Sequence, residues 1–241
     1  MDEPDARPDA GAARSYARPS ARAYGAYWPI INRLPTVLFV AALALLLLVP
    51  AGSRADRPLK LLALGDSLMA GYGLPSQESF TTRLQAALKA EGLNVTVVNG
   101  GVSGDTSAGG LARLDWLLAD KPDFALVELG ANDGLRGLDP QVTYDNLDAV
   151  LARLNQRGVP VLLAGMYAPP NLGREYGEQF NNVFPRLAEK HGVPFYPFFL
   201  DGVAAEAALN QPDGIHPNAK GVAVVVERIM PYVKKLVGGA A

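Results

Sequence analysis

From residue 59 onward the chain alternates two hydrophobic rhythms. Short apolar runs read as buried strands: Leu59–Gly65, the β-branched Val95–Asn99, Phe124–Gly130, Val159–Gly165 and the brief Val193–Tyr196. Between them, apolar residues recur at helical spacing. Phe80, Leu84, Ala87 and Leu88 form one such face, which stops at Glu91-Gly92. Leu111, Leu114, Leu117 and Leu118 form a second. Tyr144, Leu147, Val150, Leu151 and Leu154 form a third, ending at Gly158. Phe180, Phe184, Leu187 and Ala188 form a fourth, ending at His191-Gly192, and a last helix is predicted from about Asn218 to Leu236. Strands without polar alternation, separated by helices, predict an α/β fold with a parallel sheet covered on both faces. In such sheets a functional site lies beyond the C-terminal ends of the strands. There is no internal repeat.

The chain upstream has a different texture. Residues 1–27 are rich in Ala, Arg, Pro, Asp and Gly, without an apolar period. Residues 1–35 are therefore expected to be disordered, or to lie ahead of the true start of translation. Thr36 to Pro50 is uncharged, about the length of a signal-peptide apolar region and short for a spanning helix. Cleavage sites are readable at Ala51 and Ala55, so residues 36–55 are expected to direct export and residues 56–241 to form the exported domain. An uncleaved anchor is the rival reading, helped by the apolar residues Trp28 to Ile31. A buried core helix fits poorly with Pro50 and the polar stretch Arg54 to Arg57.

Composition narrows the chemistry. A net charge of −2 lacks the basic footprint of a nucleic-acid binder. The chain has no cysteine, which removes disulfides, thiolate catalysis, Cys-ligated zinc and a lipobox anchor. It has two histidines, His191 and His216, so a histidine base must be one of these.

The residues that follow the strands carry the functional signal. The first strand ends in Gly65-Asp66-Ser67. The second leads into Asn99-Gly100-Gly101-Val102-Ser103-Gly104-Asp105-Thr106. The third ends in Gly130-Ala131-Asn132-Asp133-Gly134, and Asp213-Gly214-Ile215-His216-Pro217 precedes the last helix. Each has a plain structural reading. Ser67 caps a helix, Gly104 serves a turn, Asn132 and Asp213 cap, and His216 is a structural histidine. Together they place a hydroxyl, a glycine-rich loop, an amide and an Asp/His pair at one sheet edge. His191 sits at a helix C-terminus, where it favours the dipole. That leaves His216 as the base for Ser67, with Asp213 three residues earlier able to orient the ring.

These blocks resemble the SGNH, or GDSL, hydrolase family: Gly65-Asp66-Ser67-Leu68, Gly104, Gly130-Ala131-Asn132-Asp133 and Asp213-Gly214-Ile215-His216-Pro217. The runs Ser103-Gly104-Asp105-Thr106-Ser107, Gly110-Leu111-Ala112-Arg113-Leu114, Val127-Glu128-Leu129-Gly130 and Asn132-Asp133-Gly134-Leu135-Arg136-Gly137 are similar to its bacterial acyl-CoA thioesterase I, lysophospholipase L1 and arylesterase branch. The resemblance spans Leu59 to about Val237. Ala131 stands where such motifs often carry Gly, without a functional side chain at stake. The resemblance implies a three-layer α/β/α sandwich of the flavodoxin-like kind with a five-stranded parallel sheet. It also implies a serine esterase, acting on aryl esters, acyl-CoA or lysophospholipids and using Ser67, Asp213 and His216. The oxyanion hole would be the Ser67 N–H, the Gly104 N–H and the Asn132 amide. It needs no metal and no cofactor, and its partners are small esters or thioesters with an acyl chain, not nucleic acid. Asp66 and Asp105 are expected to organise loops.

Met69, Leu135, Met166, Tyr167 and Pro169, with Tyr72, Pro170 and Leu172, are expected near the rim of an acyl groove, ordinary loop packing being the alternative. The expected location is periplasmic or secreted, or anchored to a membrane and facing the periplasm. Other readings keep the scaffold and change the reaction: a carbohydrate acetylesterase, an acyltransferase, or a lipid- or glycan-binding module. A metallophosphoesterase would need more His and Asp ligands. An α/β-hydrolase would need Gly-x-Ser-x-Gly, and Ser67 is followed by Leu68-Met69.

Overall fold

The computed structural model describes residues 57–238, and the extension, export segment and cleavage sites discussed above lie outside these residues. Five strands form one parallel sheet: β1 (Leu59–Gly65), β2 (Val95–Gly101), β3 (Phe124–Glu128), β4 (Val161–Ala164) and β5 (Phe195–Tyr196), in the order β2-β1-β3-β4-β5. This is the flavodoxin-like order, in which the chain reverses direction across the sheet beside β1. β1 and β2 run in register from Leu59↔Val95 to Gly65↔Gly101, and Leu64 pairs with Val127 of β3. Their C-terminal ends therefore stand side by side, which is what lets residues distant in sequence share a site.

Eight helices accompany the sheet among the described residues: α1 (Ser67–Ala70), α2 (Phe80–Ala90), α3 (Ser107–Leu118), α4 (Ala131–Leu135), α5 (Pro140–Gln156), α6 (Arg174–Asn181), α7 (Val183–His191) and α8 (Ala219–Gly238). α2 packs against α8, while α3 packs against α5 and α5 against α7, giving a helical layer on each face. Every residue of β3 and β4 is buried. The core combines Leu61, Leu62 and Leu64 of β1 with Phe80, Leu84 and Leu88 of α2 and with Leu147, Leu151, Phe180 and Phe184 on other helices. Burial of these side chains drives the fold, at about 1.5–3 kcal/mol for each large one fully removed from water. No helix among the described residues is long and apolar enough to cross a membrane.

The elements match the hydrophobic pattern with differences at their ends, β4 and β5 each being shorter than the apolar run that marks it. β2 runs on through Gly101, so the glycine-rich loop starts at Val102. The helix expected around Phe180 is two helices, α6 and α7, meeting at Asn182. β3 stops at Glu128 and α4 starts at Ala131, leaving Gly130 as the corner.

Candidate active site

Gly65 ends β1 in a tight place. A Cβ there would meet the backbone oxygen and Oε2 of Glu128 at 2.7 Å each, so only glycine lets β1 and β3 approach this closely. Asp66 then caps α1 by accepting the Leu68 N–H on Oδ1 at 3.0 Å. Ser67 opens that helix at the sheet edge.

Ser67 Oγ lies 2.9 Å from His216 Nε2. His216 Nδ1 lies 2.7 Å from Asp213 Oδ2. The other oxygen, Asp213 Oδ1, accepts the backbone N–H groups of Ile215 and His216 at 3.0 Å each. These hydrogen bonds, first the His216 N–H and then the ring and the Ile215 N–H, hold the Asp213 carboxyl down at about 2. Asp213 is thus an anion aimed at one ring nitrogen, which leaves the other free to face the hydroxyl.

The loop bearing this pair is tied down by side chains. Gln211 donates through Nε2 to Tyr72 O at 2.8 Å and to Pro217 O at 3.0 Å. Asn218 donates to Ala208 O and Asn210 O, and its Oδ1 accepts the Lys220 and Gly221 N–H groups at the start of α8. The Tyr72 ring lies against His216 with centroids 4.5 Å apart. An aromatic face beside the imidazole limits its rotation and its access to water.

Gly104 and Asn132 follow the C-terminal ends of β2 and β3. Gly104 has φ +85°, a left-handed conformation that favours glycine, and its carbonyl accepts Arg136 Nη2 at 2.8 Å. Asn132 donates one amide hydrogen to Asp66 Oδ2 at 2.9 Å, which leaves the second for another acceptor. Asp105, the loop residue beside Gly104, binds Arg113 Nε at 2.6 Å, and Arg113 Nη2 reaches Gly65 O at 2.8 Å. One arginine therefore bridges the Gly104 loop and the end of β1. Asp133, buried beside Asn132, accepts the Ser107 N–H at 2.8 Å and the Ser107 hydroxyl at 2.5 Å. Thr143 and Asn146 complete that network. It fixes the start of α3, just after the Gly104 loop, to the start of α4, which carries Asn132.

A groove of about 340 Å³ opens beside Ser67, Asn132 and His216. Four of the five residues expected to line it do so: Leu135, Met166, Tyr167 and Pro169. Pro170 joins them, while Leu172 does not line it and Tyr72 lies on the other side, against His216. Met69 requires correction. It is fully buried, because the first turn of α1 directs it back into the core, where its Cγ occupies the space beside Gly65. Phe198, Leu200, Ala204 and Ile215 complete the groove. They come from the irregular segment between β5 and α8, where no period marks them. The Tyr167 and Phe198 rings stack with centroids 4.4 Å apart and form an aromatic wall.

Comparison with known proteins agrees with this architecture. Residues 63–224 match the model of the GDSL-like lipase/acylhydrolase family. The chain is 42% identical over 195 residues to an arylesterase of Vibrio mimicus, covering 80% of this chain and 96% of that protein. It is 39% identical over 196 residues to thioesterase 1/protease 1/lysophospholipase L1 of Escherichia coli strain K12, covering 81% and 93%. The crystal structure of AlinE4, an SGNH-hydrolase family esterase, superposes with a TM-score of 0.64 at 47% identity over 74% of this chain and 96% of that one. With its five-stranded parallel sheet and a serine, a histidine and an asparagine gathered at one edge, the chain belongs to the GDSL-like lipase/acylhydrolase family and is an SGNH hydrolase of the esterase and thioesterase kind.

Proposed function

We propose that this hydrolase cleaves carboxylic esters and thioesters through an acyl-enzyme on Ser67. The observation that carries this reading is the line of contacts from Asp213 through His216 to Ser67 Oγ, at 2.7 and 2.9 Å. His216 Nε2 takes the Ser67 proton as Oγ attacks the carbonyl carbon. The oxyanion that forms is held by the Ser67 N–H, the Gly104 N–H and the free amide hydrogen of Asn132. The intermediate collapses when His216 returns the proton to the leaving alcohol or thiol. A water then gives a proton to His216 and attacks the acyl-serine, which releases the acid and restores the Ser67 hydroxyl. Asp213 stays ionised throughout and steadies the imidazolium.

The groove supports an apolar acyl chain as the recognised group. Its Met166, Tyr167, Phe198, Leu200 and Ile215 walls offer apolar surface next to the reacting serine. Aryl esters, acyl-CoA and lysophospholipids all present such a chain or ring, consistent with the names of the arylesterase and thioesterase/lysophospholipase relatives. This reading places the domain in the periplasm or outside the cell, carried there by the apolar segment at Thr36 to Pro50, which would associate with the membrane if it is retained.

The test is a panel of short and long p-nitrophenyl esters, acyl-CoA and lysophospholipid on the purified chain and on Ser67→Ala. Hydrolysis by the wild type that falls about 10⁴-fold or more in Ser67→Ala is the expected result. An active Ser67→Ala protein would sink the mechanism. Transfer of the acyl group to an added alcohol in preference to water would move the assignment to an acyltransferase.

A further inference from the structure

One buried ionisable group has no part in the chemistry above. Glu128 ends β3, is fully buried, and has no hydrogen-bond partner on either carboxyl oxygen. It lies directly behind Gly65, since a Cβ at that residue would stand 2.7 Å from Glu128 Oε2. The next residue, Asp66, is also fully buried, but its surroundings differ. Asp66 Oδ1 accepts the Leu68 N–H at 3.0 Å and Oδ2 accepts the Asn132 amide at 2.9 Å. Two carboxyls share one dry corner, and only one of them has donors.

The neighbouring charged groups do not change that balance. His216 favours a charge on Asp66 from the loop before α8. Arg113, from α3, spends its guanidinium on Asp105 and on Gly65 O. On α1, the group packed at Gly65 is the apolar Met69. The Asp66 N–H favours an ionised Glu128 but lies outside hydrogen-bond geometry. No cation among the described residues pairs with Glu128. An unpaired carboxylate there would be strongly unfavourable, whereas the neutral acid is tolerated.

We propose that Glu128 and Asp66 form a one-charge carboxyl pair beneath the oxyanion hole, in which Glu128 keeps its proton and the Asp66 anion positions the Asn132 amide and the turn carrying Ser67. The proposal rests on the roles given above to Asn132 and Ser67. Asp66 is a positioning residue because it acts through groups that touch the substrate, and Glu128 is its neutral partner. Burial pushes Glu128 well above the ordinary carboxylate range, and the charge of Asp66 adds to the effect. Burial also pushes Asp66 up to about 6, held there against the opposing pull of Leu68 and Asn132. Acidification through that range removes the charge that orients Asn132. Asp66 then adds one proton to the acid limb that any general base imposes on the rate profile.

The experiment compares the full chain with Asp66→Asn and Glu128→Gln by pH-rate profiles and infrared spectroscopy. An asparagine at 66 offers one acceptor oxygen where the aspartate offers two, so either Leu68 or Asn132 loses its partner. Asp66→Asn is expected to lower kcat by about tenfold or more with little change in KM, and to convert a two-proton acid limb into a one-proton limb. Wild type at neutral pH should show the carbonyl band of a protonated carboxylic acid, which Glu128→Gln abolishes. The Glu128→Gln acid limb should keep its midpoint, because a neutral group is replaced by a neutral group. Glu128→Met serves the same comparison if the glutamine variant does not fold.

Absence of that band in wild type, an acid limb that moves down in pH when Glu128 is neutralised, or a two-proton limb that survives Asp66→Asn would each overturn the pair. Labelling of Ser67 by a serine-directed phosphonate reports separately on the esterase reading. A labelled wild type with any of those failures loses the carboxyl pair alone, while an unlabelled wild type loses the esterase reading and the pair with it.

Discussion

The Asn132 amide nitrogen stands 2.9 Å from Asp66 Oδ2, and this contact decides which way the amide faces. With the carboxylate as acceptor, the Asn132 nitrogen is the end of the amide held at Asp66, and its spare hydrogen is the one the proposed mechanism gives to the oxyanion. Asn132→Ala removes that hydrogen while leaving the apolar walls of the groove in place. Its kcat is expected to fall about 10²–10³-fold, or roughly 2.7–4 kcal/mol of barrier, with KM nearly unchanged. Steady-state kinetics on a p-nitrophenyl ester checks this, and a fall confined to KM would remove Asn132 from the oxyanion hole.

Asp213 links activity to acid stability. Its folded pKa of about 2 lies below the unfolded value of about 3.9, chiefly through hydrogen bonds from His216. The unfolded chain therefore binds more protons between these values, and stability rises with pH across that window. The contribution is fully present above about 3.9 and is lost as pH falls through about 2. Solvent reaches this carboxylate, so the effect is screened and modest. Thermal unfolding from pH 5 down to pH 2 should show a steeper loss for wild type than for Asp213→Asn. The same variant should lose about 10⁴-fold in kcat at neutral pH, through the wrong imidazole tautomer.

Ser107 tests the tie between the start of α3, after the Gly104 loop, and the start of α4, which carries Asn132. Its backbone N–H and hydroxyl both bind the buried Asp133 carboxylate. Ser107→Ala removes the hydroxyl donor and also leaves Asn146 Nδ2 without the acceptor it had. The expected cost is about 1–3 kcal/mol, read as a lower urea midpoint with an unchanged slope. A drop in kcat should accompany it, because the Gly104 loop and Asn132 lose part of their common anchor. Wild-type stability in this variant would show that the network is dispensable.

Tyr167 tests the groove. The ring is half exposed and stacks on Phe198 at 4.4 Å. Tyr167→Ala removes one wall of the proposed acyl site without touching Ser67 or His216. The ratio of kcat/KM for long-chain over acetyl esters should fall about tenfold, near 1.4 kcal/mol, the value of a few buried methylenes. An unchanged ratio would place the acyl chain elsewhere.

Much of this molecule is legible in one dimension, and the reason is local. Strand and helix periods are properties of neighbouring residues, so the five strands and their order of appearance can be read from apolar spacing. Ser67, Gly104, Asn132 and His216 stand out because each follows a strand or precedes a helix with few plausible roles, and parallel strands align such corners. Only the tertiary structure decides the rest. Met69 reads as a rim residue because it lies two positions after Ser67, yet the first turn of α1 sends it into the core. Phe198, Leu200 and Ile215 enter the groove from an irregular segment, where no period announces which side chains face inward. Glu128 looks like an ordinary polar end to an apolar strand. Its isolation exists only because β1, β3 and α1 close around it, and burial and missing partners are sums over residues far apart in the chain.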